Sequence, residues 1–145
     1  MIHYITLRAI AHATEDVSRV RAALDFFLSG AGVREDSKLI EEIQAEGHHG
    51  NPIILFTAQL SDKKTLPAVL RRIGSALSSL DKEELCRELK LHLEKRNLYL
   101  RFDKQAAFMG TIKFTQTDPI HFKIRFKNKT PEEIAEICTS AGLLL

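Results

Sequence analysis

Three stretches of the chain alternate apolar and polar residues with a period of two, and they lie in its last third. Leu98, Leu100 and Phe102 alternate with Tyr99, Arg101 and Asp103; Ile112 and Phe114 alternate with Thr111 and Lys113. Ile120, Phe122, Ile124 and Phe126 alternate with His121, Lys123, Arg125 and Lys127. Such alternation predicts strands with one face in a core and the other turned away from it. Ile2 to Ala11 is rich in β-branched and aromatic residues and predicts a further strand. Ile53 to Leu60 predicts another, and Lys38 to Ala45 reads as a strand although its Glu-rich sequence would equally tolerate a helix. As strands the two would form a hairpin with the polar tip Gly47-His48-His49-Gly50-Asn51-Pro52.

Between these strands the apolar spacing is helical. Val17, Val20, Leu24, Phe27 and Leu28 fall on one face of a helix, with Thr14 as its N-cap and Gly30 and Gly32 beyond its end. Leu66, Val69, Leu70, Ile73, Leu77 and Leu80 form a second stripe. Asp81 caps a following helix that is expected to bury Leu85, Cys86, Leu89 and Leu93 and to end near Asn97. Thr130-Pro131-Glu132-Glu133 opens a last helix burying Ile134, Ile137 and Cys138. The expected fold is α+β: a mostly antiparallel sheet with helices packed on one face, a two-layer sandwich formed by residues 1–145 as one domain.

Composition refines this picture in two places. No apolar run approaches the ~20 residues that span a bilayer, and Met1-Ile2-His3-Tyr4 does not read as a secretory leader, so a cytoplasmic protein with no membrane partner is expected. Cys86 and Cys138 are too far apart in sequence to read as a zinc pair and are expected to be free, mostly buried thiols. No metal or other cofactor is expected.

Charge changes the picture more. From Arg87 to Lys129 the chain holds 11 Lys and Arg against 4 Asp and Glu, whereas the remainder holds 10 against 15. A basic segment of this kind points to a polyanion. If the three late strands are neighbours, Tyr99, Arg101, Lys113, His121, Lys123, Arg125 and Lys127 share one open surface. Phosphates would relieve the crowding of its like charges. Lys and Arg on an edge strand also discourage edge-to-edge association, which accounts for Lys123, Arg125 and Lys127 but less well for Arg101 and Lys113. No helix has the Arg, Asn and Gln pattern of a major-groove reader, so RNA is favoured, held through its backbone with low sequence specificity. His48, His49 and Asn51 in the hairpin tip are expected to flank the contact or to be purely structural.

Chemistry has weaker anchors. His12-Ala13-Thr14 matches half of the paired H-x-T signature of two-histidine RNA phosphoesterases, but the later candidate, His121-Phe122-Lys123, lacks the hydroxyl residue. Phosphate-loop, dinucleotide, zinc-protease and serine-hydrolase motifs are absent from the sequence. A protein-interaction module, a homodimer included, is the other reading of a basic sheet.

Three segments together resemble an archaeal family of small RNA-binding proteins described as predicted exosome subunits. They are the strand leading into His12-Ala13-Thr14-Glu15-Asp16, the loop Gly47 to Ile53, and Leu100-Arg101-Phe102-Asp103-Lys104-Gln105-Ala106-Ala107-Phe108-Met109-Gly110. The resemblance implies a fold similar to ribosomal protein L-five, RNA binding without catalysis, and partners in an exosome or a ribosomal particle. It also draws attention to Lys104, which joins the expected RNA-binding residues.

Overall fold

Alternation along the first strand fixes the middle of the structure. In the computed structural model, which describes residues 2–33 and 39–145, β1 (Ile2–Ala11) turns Ile5, Leu7, Ala9 and Ala11 into the core and Tyr4, Thr6 and Arg8 to the opposite face. It is followed by α1 (Val17–Ser29), the hairpin of β2 (Ile40–Glu46) and β3 (Pro52–Leu60), and then α2 (Thr65–Ala76). Next come α3 (Ser79–Arg87), the single turn α4 (Leu89–His92), and the hairpin of β4 (Leu93–Glu94) and β5 (Asn97–Phe102). The chain closes with α5 (Lys104–Phe108), β6 (Ile120–Phe126) and α6 (Pro131–Ser140). The six strands are ordered β2-β3-β1-β6-β5-β4, and every pairing is antiparallel.

Helices cover one face of the sheet. Phe27 of α1 stands over the sheet, with its ring centroid 4.9 Å from that of Phe122 and 5.4 Å from that of Phe102. Phe102 and Phe122 meet edge to face at 5.3 Å, an arrangement favoured by the ring quadrupoles. Leu66, Val69, Leu70 and Ile73 of α2 and Ile134 and Cys138 of α6 complete the same core. No helix among the described residues is long and apolar enough to cross a membrane.

The α+β fold, the central hairpin and the last helix agree with the sequence pattern. Thr130 and Glu133 form a reciprocal capping box with Pro131 in the first turn, as their order requires. Several local expectations do not hold. Asp16, not Thr14, caps α1 by accepting from Ser18 N, because a turn from His12 to Glu15 intervenes. Ser78, not Asp81, caps α3; extended backbone at Leu77 ends α2 and re-aims the chain, leaving Leu80 76% exposed. Cys86 is exposed rather than buried, while burial pushes the Cys138 thiol up to about 12. Leu89 and Leu93 are only partly buried, and the chain forms the β4–β5 hairpin before Asn97. The strand expected from Lys38 begins at Ile40, Lys38 itself lying outside the described residues.

The Ile112–Phe114 strand is the largest departure. It shrinks to a single bridge, Phe114 to Phe102, with Asp103 N donating to Lys113 O and Thr115 N to Arg101 O. Phe114 stacks on Phe102 at 5.2 Å, and the chain then turns away towards Asp118, whose φ is 45°. The third neighbour of the basic strands is therefore β1.

Close packing of α2 on the chain end rests on Gly74. A Cβ there would lie 2.6 Å from Ala141 O and 2.8 Å from Gly142 C, both backbone atoms with little freedom to retreat. Gly74→Ala is expected to destabilise the fold by about 2 kcal/mol through overpacking, read as a lower urea midpoint at unchanged slope. An unchanged midpoint would show that the α6 end repacks freely.

Candidate functional site

Register decides which polar side chains share the uncovered face of the sheet. Arg8 of β1 pairs with His121 of β6, which pairs with Arg101 of β5. The next row is Thr6, Lys123 and Tyr99, and the one after it Tyr4, Arg125 and Asn97. Paired residues of antiparallel strands point to the same side, so these nine side chains share one face, with Asn97 buried at its end and the other eight at least partly exposed. Its fixed cations are Arg8, Arg101, Lys123 and Arg125. None of the four has an ion pair with a carboxylate among the described residues. Instead Lys123 Nζ lies 5.5 Å from the centroid of Tyr4, and Arg125 donates to Asn97 Oδ1 at 3.4 Å. Tyr99 and His121 hold their rings 5.6 Å apart in a tilted arrangement.

Electrostatics on this face are legible in His121. Its burial, followed by the guanidinium groups of Arg101 and Arg8 on either side, holds the imidazole below its ordinary pKa. A neutral ring there can both donate and accept hydrogen bonds.

Of the residues singled out in the sequence, Tyr99, Arg101, His121, Lys123 and Arg125 come together on this surface. Lys127 is exposed just past the end of β6, and Lys113 is exposed on the segment beyond the β5 edge. Arg8 belongs to the surface but could not be found by local pattern, since its strand pairs with residues more than 110 positions away. His48, His49 and Asn51 sit at the tip of the β2–β3 hairpin at the other side of the sheet. That tip faces the β1–α1 turn across a groove of about 550 Å³ lined by His12, Glu15, Glu46, Gly50 and Pro52.

Lys104 is not on the basic face. It is turned inward with only 10% of its side chain exposed, and donates to Ile10 O and Glu15 Oε1, both at 2.8 Å. Its ammonium also lies 2.7 Å from Asp118 Oδ2, while His12 Nε2 donates to Asp118 Oδ1 at 3.0 Å. Asp103 creates this placement by capping α5, its carboxylate accepting from Ala106 N. Partial burial acts to raise the Asp118 pKa, but hydrogen bonds from Lys104 and His12 outweigh it and hold the carboxyl below its usual value. One ligand atom from each of His12, Glu15 and Asp118 lies within 4.8 Å of the others, a spacing that could suit a metal ion. Lys104 already supplies the cation between the two carboxylates, so the donor set fits an internal ion network rather than a metal. His121, the second histidine of the phosphoesterase reading, stands on the open face between Arg8 and Arg101, while His12 is engaged with Asp118.

Two outcomes follow from these placements. As pH falls through the ordinary histidine value of 6.5, unfolded His121 takes up a proton that the folded protein resists binding, so stability declines towards acid. His121→Gln should flatten that part of the decline between about pH 7.5 and about pH 5.5, measured by urea unfolding. A slope equal to that of the native protein would remove His121 as its source. Lys104→Met should cost about 2 kcal/mol of stability by leaving Glu15 and Asp118 without their shared cation. A phosphate contact would instead appear as weaker RNA binding at unchanged stability.

Comparison with known proteins identifies the family of the chain. Residues 4–126 match the model of a family described as RNA binding. An RNA-binding protein of Pyrococcus abyssi is 32% identical over 127 residues, covering 86% of this chain and 82% of that protein. A Methanocaldococcus jannaschii protein is 32% identical over 144 residues, covering 94% and 95%. The solved structure of a DUF54 protein from Methanothermobacter thermautotrophicus superposes with a TM-score of 0.76 at 26% identity, covering 100% of this chain and 99% of that one. A DUF54 family protein of Archaeoglobus fulgidus shares the fold, with a TM-score of 0.78 at 23% identity over 97% of this chain and 99% of that one. The match across most of its length and these relatives establish that the chain belongs to this archaeal family of RNA-binding proteins.

Proposed function

We propose that the protein is a non-catalytic RNA-binding factor that holds the phosphates of an RNA backbone on the open face of its sheet. The observation that carries this reading is the set Arg8, Arg101, Lys123 and Arg125, four cations on adjacent strands without carboxylate partners among the described residues. Like charges at this spacing repel in the free protein, and an incoming phosphate removes that repulsion while its condensed counterions are released. Tyr99 and Tyr4 stand among the cations and supply flat surfaces for unpaired bases. Lys113 and Lys127 extend the positive field at its edges. The family resemblance supports an accessory role in exosome-associated RNA processing or in ribosome assembly, and the sequence pattern and free thiols support a cytoplasmic location. The engagement of His12 with Asp118, a carboxylate that Lys104 also binds, lies away from the open face and supports a role without catalysis.

The test is a fluorescence-anisotropy titration of single-stranded RNA at several salt concentrations. Native protein should lose affinity steeply as salt rises. Lys123→Gln/Arg125→Gln should lower the slope of log K against log salt by about 1.4, the share of two phosphate contacts on a single strand. An identical slope in the double variant would place the RNA elsewhere on the protein.

A further inference from the structure

Beside the basic face lies a second concavity with a different chemistry. Beyond Leu98, the outer edge of β5 is no longer covered by β4, and a groove of about 330 Å³ opens between it, α3–α4 and the segment 114–116. Tyr99 and Arg101 belong to both the groove and the open face, so a backbone held on the sheet passes the groove mouth. His92 and Phe114 line it with Tyr99, and Leu91, 82% exposed, forms an apolar rim. His92 Nδ1 donates to Tyr99 O at 3.0 Å, which fixes the ring against the strand and leaves Nε2 as an acceptor in the neutral form.

The remaining wall carries Glu84 and Glu88. Neither has a hydrogen bond or ion pair through its side chain among the described residues, although Arg101 lines the same groove. Carboxylates repel a phosphate, so this groove is not a continuation of the backbone track. They accept from N–H groups, and a flat aromatic wall beside free acceptors is what an unpaired base requires. Guanine fits the donor set best. Its N1–H and 2-amino group lie side by side for a carboxylate, and its O6 can accept from Arg101 or from the Gln116 amide. Uracil would bring carbonyls against the carboxylates, and adenine and cytosine each offer a single amino donor beside a ring acceptor.

We propose that this groove takes one unpaired guanine of the bound RNA, giving an otherwise sequence-tolerant surface one base-specific contact. The inference rests on the reading that RNA lies on the open face.

The experiment compares two labelled single strands, one of ten uridines and one with a guanosine in place of a central uridine. Native protein should bind the guanosine strand about tenfold more tightly, within the range that a bidentate base contact provides. Glu84→Gln/Glu88→Gln should bring the ratio close to one without weakening the all-uridine strand. Inosine, which lacks the 2-amino group, should forfeit most of the gain with the native protein, independently of any variant. Equal affinities for both strands, each sensitive to salt, would overturn the guanine groove and leave the phosphate face standing. A guanosine preference that survives the double variant would overturn the groove as its source. Failure of both strands to bind would overturn both readings.

Discussion

The uncovered face of the sheet depends on the pairing of β1 with β6. Ile5 meets Ile124 and Leu7 meets Phe122 on the core side, while Tyr4, Thr6 and Arg8 meet Arg125, Lys123 and His121 on the other. Because side chains alternate, a slip of one residue would drive Lys123 and Arg125 under the helices and lift Phe122 and Ile124 into water. Burial of the aromatic and β-branched set therefore fixes the register, and the register places the cations. An irregularity between Ile2 and Tyr4 accommodates His3 at the end of the ladder without disturbing the rows beyond it.

A second constraint acts at the corner where β1 becomes α1. Lys104 joins the end of β1 at Ile10, the turn before α1 at Glu15 and the loop before β6 at Asp118. These parts are 89 or more residues from Lys104 on one side and 14 on the other, so a single ammonium ties together distant pieces of chain. The partial burial of that ammonium is tolerated because two carboxylates and a carbonyl surround it. The three segments that carry the family resemblance converge nearby: His12 and Glu15 face Gly50 and Pro52 across the groove, and Lys104 braces Glu15.

These two constraints divide the charges of the protein by purpose. Lys104 is neutralised inside the molecule and serves the fold. Among the described residues Arg8, Arg101, Lys123 and Arg125 have no ion pair with a carboxylate, and burial, followed by the charges of Arg101 and Arg8, keeps His121 below its ordinary pKa. Such a face costs some folding stability, because like charges on adjacent strands repel. Because β1 and β6 are both interior strands, protection of a sheet edge does not account for Arg8, Lys123 and Arg125.

Local pattern alone determined much of this. Period-two alternation was sufficient for β5 and β6, β-branched and aromatic residues for β1, turn chemistry for the β2–β3 hairpin, and Thr130-Pro131-Glu132-Glu133 for the start of α6. The surplus of Lys and Arg after Arg87 indicated an anionic partner before any strand was placed. Local pattern failed where the deciding partner is distant. Lys113 alternates like a strand residue, yet its segment keeps one bridge because the chain turns away after Phe114 packs on Phe102. Lys104 reads as an exposed cation until Glu15 and Asp118 are brought to it. Arg8 lies in a strand whose neighbours the sequence does not name, and only the pairing with β6 adds it to the basic row. Alternation assigns each side chain to one of two faces, a local property of the backbone. Which strands lie side by side is a choice among distant segments, made by burying Phe27, Phe102 and Phe122 in one core.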